Sequence, residues 1–391
     1  MKPRIALIGS RGIPAQYGGF ETSVEHLAPR LVEKGYEVLV SCEGADPPRP
    51  TQYKGVRLFY FPLKPFRRVF YETIYDVYSL AKASLLADVI IVLGYGAGLF
   101  FFIPKVLRRK LAVNVDGREW QREKYNAIEK TALFLNERAG LLYVDATIAD
   151  AQAIKAYLES LHAPQPTFIP YGVDVPEDLP WDPLALASVV PETSELAPRE
   201  YYLIIARLEP ENSILAMVDG FLSSGTSKKL VVIGDFADKR YKAQTLAHVA
   251  SARGDDKIVF LGAIYDTPLL TMLRQHAFAY LHGHSAGGTN PSLLEAMAAR
   301  AVIIAHDNPY NREVTAGLAL FFRDASELTA QIRRVETNPE HYAPLRQEVC
   351  ERVRAHYSWD DVICRYEALI RRLVSSVETD PRRDQAEDWT R

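Results

Sequence analysis

Cysteine, methionine and tryptophan are scarce in this chain of 391 residues, numbering 3, 4 and 4. Cys42, Cys350 and Cys364 are odd in number, far apart and without a C-x-x-C pair. That excludes a disulfide framework and a cysteine zinc site, and suits buried or idle thiols in a reducing, cytoplasmic compartment. Charge of one sign does not prevail: 46 Lys and Arg face 49 Asp and Glu, a net charge of -3. Such a balance exerts no global pull on nucleic acid, and no nucleic-acid partner is expected. Apolar runs long enough to cross a bilayer, ~20 residues, are missing as well. Residues 89–104 carry no charge but are interrupted by Gly94, Gly96 and Gly98, and read as a strand, a glycine loop and a helix start. A secretory leader is not expected either, because the apolar run at residues 5–8 is short and meets a glycine turn. What is present is ordinary for a globular chain, 48% hydrophobic and 24% charged residues. It excludes a disordered scaffold, a collagen-like fibre and a small disulfide-stapled module, and at ~150 residues per domain the length predicts two domains or three.

Short apolar runs alternate with helical patterns through the first half. Strands are expected at residues 5–8, 37–41, 88–93, 111–115, 146–149 and 167–169. Val24, Leu27, Ala28, Leu31 and Val32 fall at helical spacing before Gly35, with Pro29 predicted to kink that helix. From 173 to 199 the chain turns rich in Pro, Glu and Asp without periodicity and reads as a linker. The alternation then restarts, with strands expected at 201–206, 230–233, 258–261, 279–281, 302–305 and 318–322. Strands separated by helices predict doubly wound parallel sheets, hence an α/β chain of two Rossmann-like domains facing a cleft. The expected boundaries are 1–172, 173–357, a closing helix at 358–377 and a polar tail at 378–391.

Three segments carry candidate chemistry. After the first strand comes Gly9-Ser10-Arg11-Gly12-Ile13-Pro14-Ala15-Gln16-Tyr17-Gly18-Gly19-Phe20-Glu21-Thr22. Glycine there lets backbone approach a ligand, and the helix that follows offers N–H groups to an anion such as a diphosphate, with Arg11 as a cation. A plain connection is the bland alternative. A dinucleotide site with Glu43 on the ribose is another, although the glycines do not follow G-x-G-x-x-G. The second segment, Gly287-Gly288-Thr289-Asn290-Pro291, opens a helix carrying Glu295. Asn290 suits the N-cap and Pro291 the first helical position. Amides at that start would meet a phosphate, and Glu295 one turn on would accept hydrogen bonds from sugar or ribose hydroxyls. The third is Arg207, at the end of a strand, whose guanidinium can clamp phosphate oxygens; a surface ion pair is its commoner use.

With these residues in view, the second half resembles the nucleotide-sugar-binding domain of family 4 glycosyltransferases of the GT-B fold. The likeness lies in Arg207-x-x-Pro210-Glu211, Gly234-Asp235, Phe260-Leu261-Gly262 and Glu295-Ala296-Met297-Ala298. The amino-terminal glycine-rich segment, Asn114-Val115-Asp116-Gly117-x-Glu119-Trp120 and the 287–295 segment resemble a narrower subgroup that contains bacterial capsule and O-antigen rhamnosyltransferases. The resemblance covers about residues 4–377, including His356-Tyr357-Ser358-Trp359, and implies a closing helix that crosses back to the first domain. Two positions depart from the family pattern: Gly287 stands where most members have a Glu, and Asn212 where they have a Lys that shares the donor diphosphate with the Arg.

The resemblance implies a hexosyltransferase that retains anomeric configuration, with L-rhamnose from dTDP-L-rhamnose as the expected donor. The acceptor would be a polyprenyl-diphosphate-linked saccharide in surface polysaccharide synthesis, met at the inner face of the cell membrane. Breaking the anomeric C–O bond builds charge on the leaving diphosphate, which helix N-termini and Arg207 would stabilise. The diphosphate would itself take the acceptor's proton. No D-x-D pair stands in a suitable loop, so neither metal nor cofactor is expected. Donor-binding candidates are Arg11, Gly18, Gly19, Gly287, Gly288, Thr289, Asn290 and Glu295; Asp116 is the candidate that orients the acceptor, with Glu119 beside it. Interleaved basic and aromatic residues in 57–78, and Phe100-Phe101-Phe102 ahead of Lys105, Arg108, Arg109 and Lys110, suit peripheral membrane contact or, equally, core aromatics under a charged face. A nucleotide-sugar epimerase of the same fold, or a non-catalytic sugar-nucleotide-binding protein, are the alternatives.

Overall fold

The computed structural model describes residues 2–15, 18–44, 49–63, 68–115, 117–122, 125–189, 196–236, 238–252, 254, 256–378. Two compact units emerge, one running to Tyr171 and resuming at Trp359, the other spanning Gly172–Ser358.

The first unit is built from β1 (Arg4–Ile8), α1 (Gly19–Glu33), β2 (Glu37–Cys42), β3 (Gln52–Tyr53), β4 (Val56–Tyr60), α2 (Arg68–Leu86), β5 (Val89–Leu93), α3 (Phe102–Val106), β6 (Lys110–Val115), α4 (Ala127–Leu141), β7 (Ala146–Ala149), α5 (Gln152–Ser160) and β8 (Pro166–Phe168). The sheet order is β3-β4-β2-β1-β5-β6-β7-β8, parallel throughout except for the β3–β4 hairpin. Strands buried on both faces read as continuous apolar runs, which is why Ile5–Ile8 and Val89–Leu93 were visible as strands. α1 runs unbroken through Pro29 and buries Val24, Leu27, Ala28 and Leu31. The helix beginning at Trp359 belongs to the same core: Trp359, Val362, Ile363, Tyr366, Leu369, Ile370 and Leu373 recur at helical spacing and are all buried there. Each such side chain contributes on the order of 1.5–3 kcal/mol. Trp359 stacks on His26 of α1 at 4.9 Å between ring centroids.

The hairpin was absent from the sequence expectations. Lys54 and Gly55, both at positive φ, turn β3 into β4 and place Leu58 and Phe59 inside. This alters the reading of residues 57–78. Phe59, Phe61, Tyr71 and Tyr75 are buried, the last three packed together, so these aromatics are core rather than a membrane-facing surface. Lys64, Phe66 and Arg67 lie outside the described residues, as does the Phe70 side chain. The uncharged stretch resolves into β5, a 3-10 turn at Gly98–Phe100 and the short α3. Among the described residues no helix is long and apolar enough to cross a membrane.

The second unit continues with α6 (Pro183–Val189), β9 (Tyr201–Ile205), α7 (Ile214–Ser224), β10 (Lys229–Ile233), α8 (Lys239–Ser251), β11 (Ile258–Phe260), α9 (Thr267–His276), β12 (Ala279–His282), α10 (Pro291–Ala298), β13 (Ile303–His306), α11 (Pro309–Thr315), β14 (Leu320–Phe322), α12 (Ala325–Thr337), α13 (Pro339–Tyr342) and α14 (Leu345–His356). All its strand pairs are parallel, in the order β11-β10-β9-β12-β13-β14. Tyr202, Ile204, Phe221, Val232, Leu281, Ile304 and Phe322 pack in its core. α15 (Trp359–Glu378) follows and returns the chain to the first unit. In each sheet the winding reverses once, between β1 and β5 and between β9 and β12. Ligands of open α/β sheets sit outside the carboxyl ends of the strands at such reversals.

Candidate active site

At the second unit's reversal, β9 feeds residues 206–212 and β12 feeds residues 283–290. Those two loops are laced together. The Asn212 Nδ2 donates to the Arg207 carbonyl at 2.7 Å, and its Oδ1 meets His284 Nδ1 at 2.9 Å. Ser285 sends both its N–H and its Oγ to the Glu211 carbonyl, at 3.0 and 2.9 Å. A Cβ at Gly283 would stand 2.2 Å from the Asn212 carbonyl oxygen, so only glycine permits this approach. Arg207 reaches solvent and pairs with Glu209 at 3.2 Å.

The next turn opens α10. Asn290 accepts the Ser292 N–H at 2.9 Å as N-cap, and Pro291 occupies the first turn, as their residue types predict. The Tyr280 and Ser292 hydroxyls both lie on the Ile205 carbonyl, tying the start of α10 to the end of β9. Gly287, Gly288 and Thr289 lead into that helix start, Thr289 buried and Gly287 at positive φ. Glu295, one turn further, is ion-paired with Arg274 of α9, whose guanidinium is 5% exposed and whose Nε has no partner. The carboxylate expected to meet ligand hydroxyls is therefore already oriented by a buried cation.

Beneath the same loop sit histidines that the sequence reading passed over. His282 is buried and its Nε2 has no hydrogen-bond partner. It lies two residues from Tyr280, hence on the same face of β12, the face that meets α10. Burial and the neighbouring His306 push the His282 imidazole down to about 3, so it is uncharged. Asn308 and Asn311, at the start of α11, both donate to the His284 carbonyl, at 2.9 and 3.1 Å.

The first unit's reversal has the opposite character. A Cβ at Gly9 would come within 2.3 Å of the Leu93 carbonyl, so glycine lets the ends of β1 and β5 close together. Arg11 gives its backbone N–H to Glu21 at 2.7 Å and its guanidinium to Glu72 at 3.7 Å. Gly18 caps α1 and Gly19 begins it, but Glu21 supplies a carboxylate of the protein's own in that first turn. Burial raises the Glu43 carboxyl above its usual range. On α2, Asp76 lies against the Gly96 backbone and is pushed up to about 7, chiefly by burial and then by Glu72 and Glu43. The buried Ser10 Oγ has no partner, while Tyr75 donates to the Ser10 carbonyl at 2.6 Å.

Asp116 lies outside the described residues. Glu119 is held by Arg122 at 3.0 Å, and its N–H donates to the Tyr95 hydroxyl at 2.8 Å. The structure thus gathers Arg207, Gly287, Gly288, Thr289, Asn290 and Glu295 at one sheet edge, and places Arg11, Gly18 and Gly19 at the other. Asn212, His284, His282 and Asp76 join them from outside the predicted set. Only a helical phase that turns Asp76 toward the glycines after β5 could have flagged it. Among the described residues no group of three or more His, Cys, Asp and Glu is placed to hold a metal ion.

Comparison with known proteins adds independent findings. Residues 2–174 match a family model described as a domain of unknown function, DUF1972, and residues 192–352 match the one described as glycosyl transferases group 1. Sucrose-phosphate synthase from Thermosynechococcus elongatus has a similar solved structure, with a TM-score of 0.79 at 20% identity over 96% of this chain and 100% of that one. The Anabaena protein HepE, solved with UDP-glucose, gives a TM-score of 0.76 at 15% identity over 96% and 100%. The α,α-trehalose 6-phosphate synthase of Burkholderia multivorans gives 0.70 at 14% over 97% and 98%. At such identities the likeness establishes the architecture, that of the GT-B fold.

Proposed function

From the premise that the chain is a glycosyltransferase of the GT-B fold, we propose that it moves a sugar, L-rhamnose from dTDP-L-rhamnose, onto a lipid-linked glycan in surface polysaccharide synthesis. The observation that carries the donor half is the meeting, at one sheet reversal, of the Arg207 loop with the Gly-Gly-Thr loop and the capped start of α10. A diphosphate there gains helix-terminal amides and a guanidinium, groups that stabilise charge as it develops. The fit with HepE, whose solved complex holds UDP-glucose, supports a nucleotide sugar as the donor class. The sugar rests on the subgroup motifs, and no metal or cofactor enters the reading. Retention of configuration follows the same resemblance, with the diphosphate taking the acceptor's proton.

The acceptor half rests on Asp116 and on the carboxylates lining the first sheet's edge, since carboxylates accept hydrogen bonds from sugar hydroxyls. Membrane contact draws support from a surface of α3 and α4. Leu99, Phe102, Val106, Leu142 and Tyr143 in and beside these helices are each exposed, and Phe102 and Tyr143 are in ring contact. Three of the basic residues expected to face lipid are engaged: Lys105 and Lys110 pair with Asp145, and Arg109 with Asp88. Apolar insertion rather than charge would dominate such contact.

A thermal-shift panel of nucleotide sugars tests the donor, because a ligand that binds the folded chain raises its melting temperature by mass action. dTDP-L-rhamnose should give the largest shift; a larger shift with another donor replaces rhamnose. Liposome flotation of wild type against Phe102→Glu/Val106→Glu tests the surface, and equal flotation removes it.

A further inference from the structure

The outer edge of the second sheet carries a cavity of about 620 Å³, a size that suits a small ligand. Residues of β14, the edge strand, and of α12 line it, together with Asp307 and Arg312 from beyond β13 and Tyr342 of α13. β13 separates that edge from β12, whose loop carries the donor candidates.

Strand and helix both turn polar groups toward this space. Asp307 donates its N–H to the Phe322 carbonyl at 2.8 Å, so Phe322 faces β13 and Phe321, in alternation, points its N–H and carbonyl off the sheet edge. The carbonyl is taken by Gln331 Nε2 at 3.0 Å, while among the described residues no acceptor meets the N–H. Glu327, Gln331 and Arg334 recur along α12 at spacings of four and three, which brings them onto the one face that lines the cavity.

Three arginines share the cavity but hold different partners. Arg312 is paired with both oxygens of Asp307 and lies over the Phe321 ring, 4.4 Å from its centroid, and Arg323 is paired with Glu327. Arg334 lies over the Tyr342 ring, 5.8 Å from its centroid, and among the described residues has no carboxylate or hydrogen-bond partner. A guanidinium over an aromatic face keeps its N–H edge for an anion. Three cations against two carboxylates leave the cavity one positive charge in excess. Asp307 spends one acceptor site on each oxygen for Arg312, and a carboxylate has about four, so hydroxyl donors find room there.

We propose that this cavity is a second ligand site, separate from the donor loops, for a sugar phosphate: the phosphate meets Arg334 and the Phe321 N–H, and the sugar hydroxyls meet the Asp307–Arg312 pair. A free phosphate lacks the hydroxyls and a neutral sugar lacks the charge, so the two halves bind together better than either alone. The site goes beyond the glycosyltransferase reading and does not rest on it, since none of its groups belongs to the donor loops.

Calorimetric titration of the full chain with glucose 1-phosphate, glucose 6-phosphate and mannose 1-phosphate, beside glucose, mannose and inorganic phosphate, tests this. At least one sugar phosphate should bind wild type about tenfold more tightly than its parent sugar or phosphate alone. Arg334→Gln, at an exposed position, should keep the wild-type melting temperature and weaken that binding about tenfold, and Arg334→Lys should recover part of the loss. Arg207→Ala should leave it unchanged. Failure of all three sugar phosphates to bind, or wild-type affinity in Arg334→Gln, would overturn the proposal. A loss in Arg207→Ala as large as that in Arg334→Gln would overturn it too, by moving the ligand to the donor loops. Phosphate alone binding as tightly as the sugar phosphates would strike the sugar from the assignment.

Discussion

The two sheets reverse their winding in the same way, yet the chemistry gathered at the two reversals is opposite. The first edge is lined by Glu21, Glu43, Glu72 and Asp76 around Arg11; the second by His282, His284 and His306, the amides of Asn212, Asn308 and Asn311, and Arg207. One edge suits hydroxyl groups, which donate to carboxylates; the other suits an anion, which wants N–H donors. The contrast extends to the buried groups left strained in charge. Burial pushes an acid's pKa up on the first edge and a base's down on the second. A common architecture thus positions the loops, and the side chains at their tips divide the labour.

The largest effect that would break this comparison is thermodynamic. Asp76 has a folded-state pKa near 7, above the usual carboxyl value, so its contribution to stability is fully present below about pH 4 and is lost as pH rises to about 7. Asp76→Asn cannot ionise and escapes that loss. It should unfold at higher denaturant than wild type at pH 8, by up to about 4 kcal/mol, and match it near pH 4. Its nucleotide affinity should stay unchanged, because the residue belongs to the other edge. Equal stability at pH 8 would show that the first edge holds no strained acid. Next comes Arg207→Ala, which should lower kcat by about 10²–10³ and leave the fold intact, since the side chain is exposed. An unchanged turnover would remove the Arg207 guanidinium from the second edge's chemistry.

How much of this was readable from sequence follows from where each signal is stored. Buried parallel strands advertise themselves as apolar runs, so the strands from Ile5–Ile8 to Leu320–Phe322, apart from Val56–Tyr60 and its hairpin partner, are visible to within a residue or two. The Gln52–Tyr53 hairpin strand is two residues long, and its Lys54-Gly55 turn lacks the usual Asn or Asp, so it was silent. Asn290 and Pro291 were legible because capping is local. His282, Asp76 and Arg274 were not, because their roles depend on burial and on partners far away in the chain, as with Glu295, which is 21 residues from Arg274. Asn212 was noticed as a departure at a charged position; that it grips His284, 72 residues on, is a tertiary fact.

Glu295 tests whether the second edge also contains a carboxylate of structural use. Glu295→Ala strips the partner from a guanidinium that is 5% exposed, and an unpaired buried cation is costly. Because the carboxylate itself is 37% exposed, the expected loss is about 2–3 kcal/mol, below that of a fully buried pair. Arg274→Met/Glu295→Ala should recover much of it. If the single variant melts with wild type while nucleotide affinity falls, the carboxylate serves the ligand alone.

His282 gives the smallest effect and the opposite sign to Asp76. Its folded-state pKa of about 3 lies below the usual histidine value, so the stability it contributes is present above about pH 6.5 and is lost as pH falls toward 3. At pH 5 the unfolded chain binds that proton and the folded chain does not, a difference of about 2 kcal/mol. His282→Phe keeps an aromatic ring against Tyr280 and cannot be protonated. Its melting temperature should fall less than that of wild type between pH 7 and pH 5, whereas the two Asp76 forms diverge as pH rises from about 4 to about 7. If acid weakens His282→Phe and wild type equally, the imidazole takes its proton without unfolding. The second edge would then be able to accept charge at His282, and the division between a strained acid and a strained base would fail on its basic side.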